Sequence, residues 1–361
     1  MKKRIVISAM AASVLFTTQG QAIEFDGFLT AGLAVQDQDN VTYLDGITND
    51  ISFDNDSKFG LQVTSEISSD MKAIAQLLAA GADNNYAMDI EWAYLDYAIT
   101  DNFSLRGGKV KQPVFLISDY FEVGYAYPWI RPPQEVYRNN PISTIVGMEA
   151  LYQLNFSNVS VTLQPYLGSN TDVVPGTGGA VQFNAENFVG MALMANTRSF
   201  TFQMSYMQTD VSTLSQAVPT AVADGKANLA SIGLSWDLNN FVGYTEYVTR
   251  NITDGAVRSM EALFPDQDAY YITLGYRIGK YLPHVTVASS QSTPSTSAGA
   301  NPGVNEDSIT LGVRYELNDS AALKMELQNI KPNALTEPGL FNGPISNSSA
   351  NMLSVAVDVI F

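Results

Sequence analysis

The feature that most constrains this chain is alternation. Through most of its length apolar and polar residues exchange at period two, which argues for strands and against helices. In 352–361, Leu353, Val355, Val357, Val359 and Phe361 point one way, and Met352, Ser354, Ala356 and Asp358 point the other. The same reading sets Ile309, Leu311, Val313, Tyr315 and Leu317 against Thr310, Gly312, Arg314 and Glu316. It also sets Leu323, Met325 and Leu327 against Lys324, Glu326 and Gln328. One face of each segment is apolar throughout, and the other carries charge.

The connections alternate as well. Breaks rich in Asn, Asp, Ser and Gly, suited to tight hairpins, fall at 68–70, 100–102, 155–158, 196–198, 238–240, 279–280 and 318–320. Between them lie long polar stretches at 36–52, 82–88, 111–143, 169–187, 210–227, 251–268, 292–306 and 331–349. Seven short and eight long connections separate sixteen strands. These are expected at 24–35, 53–67, 71–81, 89–99, 103–110, 144–154, 159–168, 188–196, 199–209, 228–237, 241–250, 269–278, 282–291, 307–317, 321–330 and 350–361. The Ala/Leu-rich stretch within 71–80 also reads as a short helix. Tyr97, Phe103, Phe156, Phe200, Trp236, Phe241, Tyr281 and Tyr315 cluster near the short turns, where an interfacial aromatic girdle would stand. In lipid a backbone polar group cannot be left unpaired, so a spanning sheet must close on itself. The fold class expected is all-β: a transmembrane antiparallel β-barrel of 16 strands. A soluble sandwich has a similar period, but would rarely place every long loop on one side.

The N-terminus reads as a removable leader. Lys2, Lys3 and Arg4 precede an apolar run, and Gly20-Gln21-Ala22 offers the small residues of a cleavage site. Residues 1–22 are therefore expected to be a cleaved signal peptide and 23–361 a single barrel domain. Beyond the leader, no run of 18 or more apolar residues marks a helical span. The chain holds 19 basic and 36 acidic residues, and removing the leader makes it more acidic still. That balance argues against nucleic acid as a partner. With no cysteine, thiolate metal sites, CxxC redox chemistry and disulfides are all excluded.

The sixteen-strand layout, a last strand ending in Phe361 and the long connection 111–143 together resemble the general porin superfamily of Gram-negative outer membranes. The stretch DYFEVGYAYPWIRPP over 119–133 is also similar to one in porin-like proteins of marine gammaproteobacteria. The resemblance implies an integral outer-membrane protein whose third loop folds into the pore and narrows it. It further implies a homotrimer in contact with lipopolysaccharide and outer-membrane lipid. Phe361 would be the signal read by the barrel-assembly machinery. The Pro-Glu-Phe-Gly-Gly-like motif of many general porins is missing from the loop, which leaves its pore-facing acids to be found.

A channel needs a narrow wet passage and a field across it, not a catalytic group. The third loop offers Asp119, Glu122 and Glu135 as acids. Inward-facing wall positions offer Lys58, Arg106, Arg277, Arg314 and Lys324 as bases. Arg131 and Arg138 lie in the loop and either pair with its acids or face the pore. The bland reading of each such charge is simple solvation. Tyr120, Tyr125, Tyr127 and Trp129 read more readily as loop anchors than as a track for sugars. Acidic loops suggest a mild cation preference for small hydrophilic solutes; a selective channel for an anion or an oligosaccharide is the alternative. An enzyme is not expected, since His284 is the only histidine and no GxSxG elbow occurs. No cofactor is expected. The acids Asp37, Asp39, Asp45, Asp50, Asp54 and Asp56 read as a solvated surface, with loop-bound Ca²⁺ or Mg²⁺ as the alternative.

Overall fold

The structure, a computed structural model, describes residues 23–44, 46–82, 86–176, 179–215, 222–254, 264–293, 304–332, 339–343, 345 and 347–361. The leader 1–22 and Asp45 lie outside the described residues. Sixteen strands close into one barrel in which every neighbour is antiparallel. They are β1 Ile23–Gln36, β2 Lys58–Ser68, β3 Met71–Ala80, β4 Met88–Thr100, β5 Phe103–Lys111, β6 Thr144–Asn155, β7 Ser160–Gly176 and β8 Gly179–Asn196. The rest are β9 Phe200–Ser215, β10 Val222–Leu238, β11 Phe241–Asp254, β12 Asp266–Tyr276, β13 Tyr281–Thr293, β14 Glu306–Asn318, β15 Ala321–Pro332 and β16 Ala350–Ile360. The stretch that could be read as a helix is strand β3.

Closure is made by β1 on β16, from Phe28 opposite Ile360 to Gln36 opposite Met352. Phe361 completes the seam: its N–H donates to the Gly27 carbonyl at 3.0 Å, and Gly27 N–H donates to its carbonyl at 2.7 Å. No sheet edge is left unpaired, as a wall against lipid requires.

The period-two reading places the faces correctly. Leu353 is 46 % exposed on the outer surface, whereas Ser354, the next residue, is 1 % exposed inside. The aromatic girdle forms at the short-turn end, with Tyr281 tilted against Tyr315 at 4.7 Å and Phe241 edge-on to Tyr276 at 4.9 Å. All seven short turns fall where expected. Asn239 and Gly279 adopt φ of 57° and 59° in two of them, a left-handed conformation that Asn and Gly take most readily.

Two of the long connections differ from expectation. Much of 169–187 and 210–227 is strand, because β7 to β10 run on as long hairpins. Beyond the lipid neither face of a strand needs to be apolar. Backbone pairing continues there while the hydrophobic alternation fades, so sequence reading ends the strand early.

The third connection, 112–143, folds into the barrel and carries short helical turns, Ser118–Tyr120, Gly124–Ala126 and α1 Gln134–Tyr137. The main apolar core lies between this loop and the inner wall. Val114, Leu116, Ile117, Tyr127, Trp129 and Val136 pack against Phe188, Met207, Leu229, Val248 and Tyr271. Each large apolar side chain so buried contributes about 1.5–3 kcal/mol. A smaller core at the barrel mouth joins Tyr43 and Ile47 of the first long connection to Phe341 and Ile345 of the last.

Candidate functional site: the constriction under the third loop

The loop enters along β9 and β10. Gln203 Nε2 donates to the carbonyls of Pro113 (3.0 Å) and Phe115 (2.9 Å), and Ser205 Oγ donates to that of Val114 (2.7 Å). Glu246 on β11 accepts Leu116 N–H and Tyr137 O–H, both at 2.9 Å, and so ties the two arms of the loop to one carboxylate. Trp129 Nε1 donates to the hydroxyls of Thr273 and Thr286 at 3.0 Å. At its tip the loop lies directly on the β16–β1 seam. A Cβ on Gly124 would stand 2.2 Å from Asp358 Oδ1, so only glycine allows this approach. It brings the Gly124 carbonyl within 2.6 Å of Lys324 Nζ.

Several predicted bases therefore have a different role. Lys324 is 0 % exposed; it donates to the carbonyls of Gly124 and Trp129 and pairs with Asp358 at 2.8 Å. Arg314 donates to the carbonyls of Tyr125 and Tyr127 and pairs with Glu316. Both face inward as expected, but they lie under the loop and do not line a passage. Arg277 is at the short-turn rim, paired with Asp237 at 2.9 Å. Glu135 is also a correction. It is 1 % exposed and bonded to Ser308 Oγ, and burial raises its carboxyl above the ordinary value. It faces the wall because α1 turns it away from the lumen.

Tyr127 and Trp129 are buried anchors, as expected, and Tyr125 O–H reaches the Asp319 carbonyl at 3.0 Å. Asp56, read as a surface acid, is buried and pairs with Arg131, which also bonds Ser354. The remaining acids of that connection are dispersed: Asp37 bonds Asn351, Asp39 accepts from Asn49, and Asp54 accepts from Tyr86. Among the described residues no group of three His, Asp or Glu side chains is placed to hold a metal.

The open side of the loop faces β2 to β6. Glu122 meets Lys58 at 3.1 Å and Lys111 at 4.0 Å. Lys111 also pairs with Glu91 and lies 5.9 Å from the ring centroids of Trp92 and Phe121. Further along the same wall, toward the short turns, Arg106 pairs with Asp96 at 2.8 Å and Glu149 at 3.0 Å, and it stacks over Tyr94. Asp119 extends into the lumen. Burial would raise the Glu122 carboxyl, but Lys58 and Lys111 prevail and hold it below the usual range. Crowding by surrounding protein raises that of Asp119 although its side chain reaches the lumen, against the pull of Arg106 and Lys111. A space open to solvent lies between loop and wall at Lys58 and Glu122, and Asp56, Arg131 and Arg138 line it as well.

Of the predicted set, the structure brings Glu122 to Lys58, sets Asp119 within electrostatic reach of Arg106, and places Arg131 and Arg138 on the space that Lys58 and Glu122 line. Sequence reasoning missed Lys111, Glu91, Asp96 and Glu149. Asp96 was within reach: counting out from the 100–102 turn sets it opposite Arg106. Lys111 stood at the expected loop boundary, and nothing in its neighbours marks it.

A closed sixteen-strand barrel with apolar outer and polar inner faces, narrowed by an inward loop, defines a diffusion channel of the outer membrane. The chain belongs to the Gram-negative porin family, whose model matches residues 6–334. No curated protein matches it. Among solved structures it is similar to the loop L8 deletion mutant of OmpT, an outer membrane protein of Vibrio cholerae (TM-score 0.61, 15 % identity, 95 % of this chain and 100 % of that one). It is also similar to Salmonella typhi OmpF (0.58, 14 %, 95 % and 98 %) and to the anion-selective porin from Comamonas acidovorans (0.59, 12 %, 95 % and 100 %). At these identities the likeness concerns the fold.

Proposed function

We propose that this porin passes small hydrophilic solutes through the gap between the third loop and the β2–β6 wall, with a mild preference for cations. The observation that carries this reading is the charge along the gap between the loop and that wall. Lys58, Arg106 and Lys111 stand among five carboxylates there: Glu91, Asp96, Asp119, Glu122 and Glu149. A carboxylate excess in a confined, low-dielectric passage concentrates cations and repels anions. The test is the reversal potential of single channels in planar bilayers under a salt gradient. A cation-selective sign is expected, and an anion-selective sign would overturn the proposal.

Assembly as a homotrimer is part of the same reading. A related solved structure of Vibrio cholerae OmpT is described as a trimer form. In this chain the outward positions Ala73, Ala75, Ala93 and Gly107 make a shallow face on β3 to β5, suited to close packing between barrels. The exposure of Phe361, 65 % at the end of the closing strand, supports reading it as the signal for the barrel-assembly machinery.

A further inference from the structure

Between the two arms of the third loop, where it leaves β5 and returns to β6, lies a cavity of about 140 Å³. One side of it is aromatic: Phe115 and Phe121 pack on Tyr137 with ring centroids 5.1 and 5.5 Å apart. The other side is polar and includes Lys111, Gln112, Ser118 and Glu122. Phe121, Glu122, Tyr137 and Asn140 also line the solvent-open space at the passage, so the cavity adjoins the path of a solute.

Gln112 is 2 % exposed, and its neighbours fix which way its amide points. The Ile142 N–H can only donate, and it donates to Asn140 Oδ1 at 3.2 Å. Asn140 therefore turns its Nδ2 to Gln112, whose Oε1 accepts it at 3.2 Å. Gln112 Nε2 is left as a buried donor with no acceptor in the protein. Nearby, Ser118 Oγ accepts the Phe115 N–H at 2.9 Å, which leaves its own O–H to donate. Lys111 Nζ and Glu122 Oε1 stand 4.0 Å apart, too far for a direct hydrogen bond. A hydroxyl both donates and accepts, so one hydroxyl can bridge them.

We infer that this cavity is a dwell site for a short neutral polyol of three carbons. One hydroxyl accepts from Gln112 Nε2, a second bridges Lys111 and Glu122, and the carbon-bound hydrogens lie against the aromatic side. The volume equals about four or five waters at liquid density, the bulk of such a polyol. The chemistry of the lining selects against other solutes. An anion would meet Glu122, and a cation would meet Lys111 and the Gln112 donor. An apolar molecule would leave the polar side without partners. The inference rests on the reading of the gap between loop and wall as the solute path, and it names one class of solute that pauses there.

Saturation-transfer NMR of the full chain, folded in deuterated detergent and titrated with glycerol, tests this, with 1-propanol as the match that has a single hydroxyl. A saturable glycerol signal is expected, and 1-propanol should not displace it. Gln112→Leu removes the buried donor and should weaken binding about threefold to tenfold. Ser118→Leu fills the cavity and should abolish binding. A cation-selective reversal potential in either variant shows that the channel has folded around the altered loop. Absence of saturable glycerol binding to the unaltered protein would overturn the inference, as would binding that is unchanged in both variants or is displaced equally by 1-propanol. An anion-selective reversal potential of the unaltered channel would instead count against the proposed selectivity, which glycerol binding does not report.

Discussion

Glu122 and Asp119 stand three residues apart on the loop, and their carboxyls are displaced in opposite directions. Glu122 lies below its ordinary 4.5, so the stability from its ion pairs is fully present above that value and is lost as pH falls through the lower folded one. Asp119 lies above its ordinary 3.8, so its charged form is disfavoured in the fold. Acidifying bilayers that hold open channels should therefore lower the cation preference as Asp119 takes up its proton, and make conductance irregular as the Glu122 pairs break. Asp119→Asn should remove the first effect and leave the second; an unchanged titration would show that Asp119 does not set selectivity. Glu122→Gln should leave Lys58 without its partner and Lys111 with Glu91 alone, and the reversal potential should shift toward anions at neutral pH. At this scale the sequence was only partly legible. Period-two counting assigns a residue to the inner face, and it did so correctly for Lys324 and Arg314. It does not reveal which inner residues a folded loop will cover, because that depends on contacts far apart in the chain, such as Lys324 with Gly124, 200 positions away.

Among elements, the third loop is unusual in being held by a core of its own. Trp129 is fully buried, packed edge-on against Tyr244 at 4.8 Å and Tyr271 at 5.5 Å, with its N–H shared by two threonines. Trp129→Ala should destabilise the folded protein by about 3–5 kcal/mol through the lost contacts and the cavity left behind. The loop should also move more freely, so single-channel conductance should rise and become noisier. Thermal unfolding in detergent measures the first effect and bilayer recording the second; a stable variant with unchanged conductance would mean that polar ties such as Lys324 and Glu246 suffice to hold the loop. The strands themselves were readable because lipid enforces alternation on every spanning segment. Where that solvent ends, as in the upper parts of β7 to β10, the enforcement ends too, and the sequence no longer marks the strand.

For the whole molecule, two solvents act on one sheet, and a substitution has opposite consequences on its two faces. Leu311 is 57 % exposed near the middle of β14, on the face the barrel turns to lipid. Gln62 stands on the inner face of β2, half-buried, across from Asp26 and Gln76. An arginine at either position adds the same side chain and the same charge. At Leu311 it meets hydrocarbon, and Leu311→Arg should reduce folding stability in lipid vesicles by about 2–4 kcal/mol. At Gln62 it meets water, so Gln62→Arg should fold with near-normal stability and instead move the reversal potential toward anions. Urea titration of folding into vesicles, followed by bilayer recording of each variant, separates the two effects. Equal losses at both positions would mean that the inner surface of β2 is packed as a core and carries no water, and the passage would then have to run elsewhere in the barrel.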